Sequence, residues 1–247
     1  MVTKTIFSIC EGKMSKTAIL TGASSGIGKA ISEVLLDMDY EVFGIGRDFS
    51  EAEELALHPS FHRVELDLLN TSEVEKTIRE MSKGRGIDLL VNCAGVGFYG
   101  LHEELKVKDI SAMVRTNLEV PLLLTNLLLR KLKESKGTIL NIASVTAQQS
   151  NPHGAAYGAT KAGLLSFSKS LFDEARKYGV KVTTILPDMT DTNLYRNADF
   201  ESSKEENARL LPADISDAVK YILQADPHMT ITEFTVRPQL HRIEKKP

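Results

Sequence analysis

One stretch near the start of the chain leaves it few folds to choose from. Thr17 to Thr21 is a short apolar run. It ends in Gly22, Ser24, Ser25, Gly26, Ile27 and Gly28, after which Ala30, Ile31, Val34, Leu35 and Met38 recur at helical spacing. Strand, glycine turn and helix in that order make the first βα unit of a nucleotide-binding sheet. Glycines let the backbone turn sharply and come close to a pyrophosphate, whose charge is favoured by the free amides at a helix N-terminus. Ser24 and Ser25 add hydroxyls. A glycine-rich turn by itself also serves simple loops, so its place between strand and helix is what gives it meaning.

The alternation continues. Glu41 to Gly46 reads as a second strand closing on Arg47 and Asp48, and His62 to Leu66 as a third closing on Asp67 and Leu68. A helix with Val74, Ile78 and Met81 on one face follows. Ile87 to Val91 is nearly all apolar, as a buried parallel strand should be, and leads into the small-residue turn Asn92, Cys93, Ala94, Gly95. Helices are expected around 107–119, 121–133, 155–177 and 215–224, with strands at 138–142, 180–186 and 230–236. No linker or repeat interrupts the series, which predicts one α/β domain on a parallel sheet of about seven strands with helices on both faces. The carboxyl ends of its strands then bring Gly22, Arg47, Asp67, Asn92, Ser144 and Pro187 to one rim.

Composition narrows the function classes. A net charge of -3 gives no sign of a nucleic-acid surface. Cys10 and Cys93 have neither a disulfide pattern nor metal-ligand spacing, so no metal is expected. No apolar run is long enough to span a bilayer. Residues 1–14 read as an extension too short and polar for a secretory signal, ahead of a single domain over 15–247 in a cytoplasmic protein.

Chemistry concentrates between Ser144 and Lys161. A hydroxyl at the end of a strand is followed by a polar loop holding Pro152 and Gly154, then by a helix carrying Tyr157 and Lys161. Four residues apart on a helix, the last two share a face. An ammonium beside a phenol favours the phenolate, so the pair is expected to lower the tyrosine pKa and form a proton-transfer site. Many helices carry such a pair with no chemistry, and Ser144 equally suits a cap. At the second strand, an acid would hold a ribose 2'-hydroxyl, whereas an arginine accommodates a 2'-phosphate. Gly46 leaves room where that acid would sit and Arg47 supplies charge, which favours NADP over NAD; the alternative is a solvated Arg47 with Asp48 on the ribose.

Taken together, Thr21-Gly22-x3-Gly26-x-Gly28, Asn92-Cys93-Ala94-Gly95, Asn117, Ser144, Tyr157-x3-Lys161 and Pro187 resemble, in order and spacing, the short-chain dehydrogenase/reductase family. The resemblance spans Met14 to Arg237 and implies a Rossmann-type doubly wound sheet and hydride transfer between a nicotinamide and a carbonyl or alcohol. It implies Tyr157 as general acid and base and Ser144 as the group that holds the substrate oxygen. Lys161 would lower the tyrosine pKa and bind the nicotinamide ribose, and Asn117 would anchor a water chain. Gly22, Ser24, Ser25, Gly26, Ile27, Gly28, Arg47, Asp67, Leu68, Asn92, Ala94, Gly95, Pro187, Thr190 and Thr192 complete the cofactor side, with Asn92 a scaffold residue. Asp188 stands where the family usually has glycine, so the adjoining loop is expected to bend differently; it reads as a turn residue.

The C-terminal stretch 230–238 resembles the small-carbonyl and hydroxy-acid branch more than the acyl-carrier one. A 3-oxoacyl carrier-protein reductase is the alternative, and an NADP-sensing scaffold the non-enzymatic one. A homodimer or homotetramer is implied by the resemblance, with a small-molecule substrate and no nucleic-acid or membrane partner.

Overall fold

A computed structural model describes residues 15–246, so the expected extension over 1–14 lies outside the described residues. Strand β1 (Thr17–Thr21) runs into α1 (Gly26–Asp37), then β2 (Glu41–Gly46), β3 (Phe61–Glu65), α2 (Thr71–Met81) and β4 (Leu89–Asn92). Next come α3 (Val107–Val114), α4 (Val120–Ser135), β5 (Thr138–Ile142), α5 (Ala155–Ala175) and β6 (Lys181–Pro187). The chain ends with β7 (Phe200–Ser202), α6 (Pro212–Gln224), β8 (Glu233–Val236) and β9 (Ile243–Lys245).

Seven strands form a single sheet in the order β3-β2-β1-β4-β5-β6-β8, with every neighbouring pair parallel. The winding reverses between β1 and β4, and in a sheet of this kind the crevice beyond the carboxyl ends at that reversal is where ligands bind. This is the doubly wound α/β fold that the sequence predicts.

Side-chain alternation explains how two layers of helices attach. Ala18 and Leu20 of β1 join Ile31 and Leu35 of α1 and Ile215 and Val219 of α6 in one core. Ile19, one residue out of phase, belongs to the other core, with Ile78 of α2, Leu124 and Leu128 of α4 and Leu171 of α5. Ile19, Leu20, Leu89 and Leu90 are fully inaccessible, as strands covered on both faces must be. Local chemistry sets the helix ends: Asn70 caps α2, its Oδ1 accepting from Glu73 N, and Lys136 takes a left-handed φ of 53° to end α4.

Two features depart from the sequence reading. The helices expected over 107–119 and 121–133 are one rod, joined by a π-helical turn at Arg115–Glu119. Pro121 has no N–H to offer the carbonyl of Asn117 four residues back, and the backbone widens there instead of breaking. The second feature is the antiparallel pair of β7 and β9, which stands apart from the main sheet and was not expected.

Candidate active site

A cavity opens at the carboxyl ends of β1, β4, β5 and β6, across the reversal point. From the glycine turn it is lined by Gly22, Ser25, Gly26, Ile27 and Gly28, and from the turn after β4 by Ala94 and Gly95. Ser144 faces it from just after β5, Tyr157 and Lys161 from α5, and Pro187, Thr190 and Thr192 from the end of β6 and the loop beyond. Residues as far apart in sequence as Gly22 and Arg196 thus line one cavity.

The turn after β1 is built for backbone to come close to something else. Gly22 has a φ of 73°, and a Cβ there would lie 2.9 Å from Ala94 Cα. A Cβ on Gly28 would lie 2.0 Å from the Gly22 carbonyl oxygen. At the start of α1, Ser25 makes no side-chain cap and the first turn holds no acidic residue, so its amides have no competing carboxylate. A concave, glycine-walled helix start of this kind fits a dinucleotide pyrophosphate. Thr192 closes the cradle from above, its Cγ2 sitting 3.2 Å from where a Gly26 Cβ would be. Thr190, by contrast, is buried and turns its hydroxyl to the Asp188 carbonyl at 2.9 Å.

At the far end of the cavity, Lys161 is 4% exposed and donates from Nζ to the Ile142 carbonyl at 2.8 Å. Burial lowers its pKa to about 8. Nζ also stands 5.7 Å from the centroid of the Tyr157 ring. The expectation that this ammonium would pull the phenol down is corrected here. Burial pushes Tyr157 above the ordinary phenol value, the charge of a nearby Tyr195 phenolate would push the same way, and only the Ser144 hydroxyl opposes them. Desolvation of a buried anion outweighs one neighbouring hydrogen bond. Ser144 meanwhile does what its alternative reading proposed as well, its Oγ accepting from Thr146 N at 3.2 Å to cap a short 3-10 turn.

Asn117 is fully buried behind this wall. Its Oδ1 accepts from Val96 N and its Nδ2 donates to Val96 O, each at 2.9 Å, and Nδ2 also reaches Thr160 Oγ1 at 3.2 Å. Asn117 Oδ1 and Lys161 Nζ both border Gly95, 3.6 and 3.7 Å from where a Cβ on it would lie. The remaining expected residues sit beside the cavity. Asn92 lies inside the sheet, its Nδ2 donating to Asn141 Oδ1 at 2.8 Å. Arg47 and Asp67 are exposed at the ends of β2 and β3, with buried Leu68 next to Asp67. Asp67 accepts from Leu69 N at 3.0 Å, and Asp48 is engaged by Ser50 N and Oγ at 2.9 and 3.1 Å. Ser24 packs where a side chain on Gly46 would go, 2.9 Å from its Cβ position, so that room is already filled.

Several supporting contacts join residues far apart in sequence. Thr21 Oγ1 accepts from both Cys93 N and Ala94 N at 3.1 Å, clasping the two small-residue turns together. Asn141 passes the Asn92 contact on to Ser168 Oγ at 2.8 Å, and Ser168 donates to Leu164 O at 2.7 Å, tying β4, β5 and α5. A lone asparagine in the apolar run 138–142 was the available signal. Tyr195 also lines the cavity, and Tyr99 lies behind Tyr157 with ring centroids 5.6 Å apart.

Residues 16–202 match the family described as short chain dehydrogenase. An uncharacterized oxidoreductase of Staphylococcus haemolyticus is 35% identical over 228 residues, covering 90% of this chain and 97% of its own. Among solved structures, an alcohol dehydrogenase of Thermococcus sibiricus complexed with 5-hydroxy-NADP superposes with a TM-score of 0.82 at 24% identity, over 92% of this chain and 98% of that one. A 4-hydroxyisoleucine dehydrogenase complexed with NADH gives 0.79 at 25% identity, over 91% and 98%. The chain therefore belongs to the short-chain dehydrogenase/reductase family. It is an NAD(P)-dependent dehydrogenase or reductase.

Proposed function

We propose that this protein is an NADP-dependent oxidoreductase acting on a small carbonyl or alcohol, with Tyr157 as general acid in reduction and general base in oxidation. The observation that carries it is the meeting of Ser144, Tyr157 and Lys161 with the glycine cradle in one cavity. Bound there, the cofactor supplies or accepts the hydride. The protein's own residues bind, orient and handle the proton.

In the reductive direction the carbonyl oxygen gains negative charge, and Ser144 and Tyr157 are the donors placed to stabilise it and complete the alcohol. A phenol kept protonated by burial suits that task. In oxidation the same phenol must give up its proton, which the hydrogen bond from Ser144 favours against burial. Asn117 acts from behind, holding Val96 and Thr160 so that the Gly95 turn keeps its shape. Gly22, Ser24, Ser25, Gly26, Ile27 and Gly28 take the pyrophosphate side; Ala94, Gly95, Pro187, Thr190 and Thr192 flank the nicotinamide side, and Asn92 supports them from the sheet. Asp67 and Leu68 border the adenine.

Preference for NADP rests on the end of β2. Ser24 occupies the space an acidic side chain at position 46 would need, and Arg47 is exposed beside it, in no ion pair among the described residues. The small-alcohol reading is in keeping with the alcohol and 4-hydroxyisoleucine dehydrogenases among the structural neighbours. Residues 15–247 form a single catalytic domain of a cytoplasmic homodimer or homotetramer in this proposal; exposed Val107, Val114, Leu122 and Leu123 along α3 and α4 offer an apolar face for pairing. No helix among the described residues is long and apolar enough to cross a membrane. Following NADPH and NADH absorbance across ketones, hydroxy acids, amino alcohols and acyl thioesters tests the proposal. Turnover of small carbonyls with NADPH is expected, and exclusive turnover of acyl thioesters would contradict it.

A further inference from the structure

The loop after β6 carries Thr190, Thr192 and Tyr195 over the cavity, and the end of the chain returns to hold it. Strands β7 and β9 pair through Phe200 with Lys245, Glu201 with Glu244 and Ser202 with Ile243. A ribbon of this size is marginal in water, and two glutamates directly opposite one another weaken it further. Contacts outside the ladder compensate. Ser203 Oγ and Lys204 N donate to Glu244 Oε1 at 2.8 and 3.0 Å, which stabilises its carboxylate in place. Leu240 N donates to Asn207 O at 2.8 Å, and Lys246 N to Asp199 O at 2.9 Å. Lys246 Nζ reaches the carbonyl of Tyr195 itself at 2.6 Å.

The ribbon's inner side is aromatic. Phe200 stands 5.2 Å from the Tyr99 ring and 5.5 Å from the Tyr195 ring, Tyr99 lies 5.9 Å from Tyr195, and Tyr99 touches Tyr157. Phe200 of the ribbon, Tyr195 and Tyr99 thus form one cluster of tilted and edge-on rings that reaches the proposed proton donor, with Tyr195 on the cavity wall. Asp188 joins the same arrangement from the end of β6. Its carboxylate is 8% exposed and faces His241 Nδ1 at 3.5 Å and Arg237 Nε at 4.0 Å, both at the base of the returning segment. A glycine at 188 would offer that segment no such anchor.

We propose that Tyr195 is a specificity-determining residue, its ring forming the substrate-side wall opposite Tyr157, and that residues 238–246 are a strap that positions this wall through Lys246 and the β7–β9 ribbon. The inference rests on the oxidoreductase reading above. It assigns to the C-terminus control over the size of alcohol or ketone that the site accepts. A fixed wall admits short chains, and a loosened one admits longer chains while binding short ones less well.

The test compares the full chain with a form ending at Pro238, with Lys246→Met and with Tyr195→Ala, each checked for folding by circular dichroism. Two readouts are taken: amide hydrogen exchange, and NADPH-coupled turnover of a homologous series of methyl ketones of rising chain length. Exchange of residues 195–204 is expected to rise about tenfold in the truncated form, and several-fold in Lys246→Met, with β5 and α5 unchanged. KM for the shortest ketone should rise about tenfold in the truncated form with kcat within about twofold, and Tyr195→Ala should move the optimum to longer chains. Unchanged exchange overturns the strap, and an unchanged chain-length optimum in Tyr195→Ala overturns the wall. If the full chain turns over no member of the series, the small-carbonyl reading and the Tyr195 wall fall together, while exchange still decides the strap.

Discussion

Asn117 grips Val96 by both of its backbone groups, accepting from the N–H and donating to the carbonyl at 2.9 Å each, from inside a π-helical turn. Val96 directly follows the Gly95 that borders the cavity, so one buried amide fixes a stretch of cavity wall. Asn117→Ala leaves both partly buried Val96 groups without their partner and is expected to destabilise the fold by about 1–3 kcal/mol. Urea denaturation measures this. A loss below half a kcal/mol would show that the clamp does not hold in solution.

Lys161 is the second buried group with a measurable signature. Its pKa of about 8 in the fold lies below the ordinary 10.5, so its protonation opposes folding fully below about pH 8, and this opposition fades as pH rises toward 10.5. Lys161→Met removes it, along with the hydrogen bond to Ile142, which is independent of pH to first order. The variant's Tm relative to the parent should therefore be more favourable at pH 7 than at pH 10, while turnover drops by about 100-fold or more. A Tm difference flat across that range would contradict the buried-cation assignment.

Gly28 and Gly84 form a matched pair. A Cβ on Gly28 would stand 2.0 Å from backbone oxygen, whereas one on Gly84, at a φ of 68°, meets nothing within 4 Å. Gly28→Ala should distort the cradle and weaken NADPH binding by about tenfold or more, and Gly84→Ala should cost only the strain of its backbone angle, about 1 kcal/mol, with binding unchanged. Titration of NADPH fluorescence distinguishes them.

Arg47→Asp is expected to shift the ratio of NADPH to NADH affinity toward NADH by about tenfold, because the 2'-phosphate loses its only assigned cation and gains a like charge. Equal affinities in the parent protein would contradict the role given to Arg47.

Much of this architecture could be read from local patterns. The glycine turn, the apolar strands and the four-residue step from Tyr157 to Lys161 each depend on neighbours in sequence, and the rim they were assigned to is where the fold brings them. What escaped depends on distance. Thr21 clasps the turn at Cys93 from 72 residues away, and Asn92, Asn141 and Ser168 come together only once β4, β5 and α5 are packed. The β7–β9 ribbon has three-residue strands and a glutamate facing a glutamate, so it carries no alternation to find. The tyrosine pKa went astray for a different reason. Spacing places a lysine near a phenol, but only the fold reveals that both are buried and that burial dominates.

The most direct test of the proposed chemistry is Tyr157→Phe, which removes one hydroxyl from a ring that stays packed against Tyr99. Single-turnover NADPH oxidation with a ketone that the parent reduces should fall by about 1,000-fold, while the NADPH dissociation constant changes by less than about threefold. A variant that keeps most of the parent's rate would show that the proton comes from elsewhere and would contradict the mechanism.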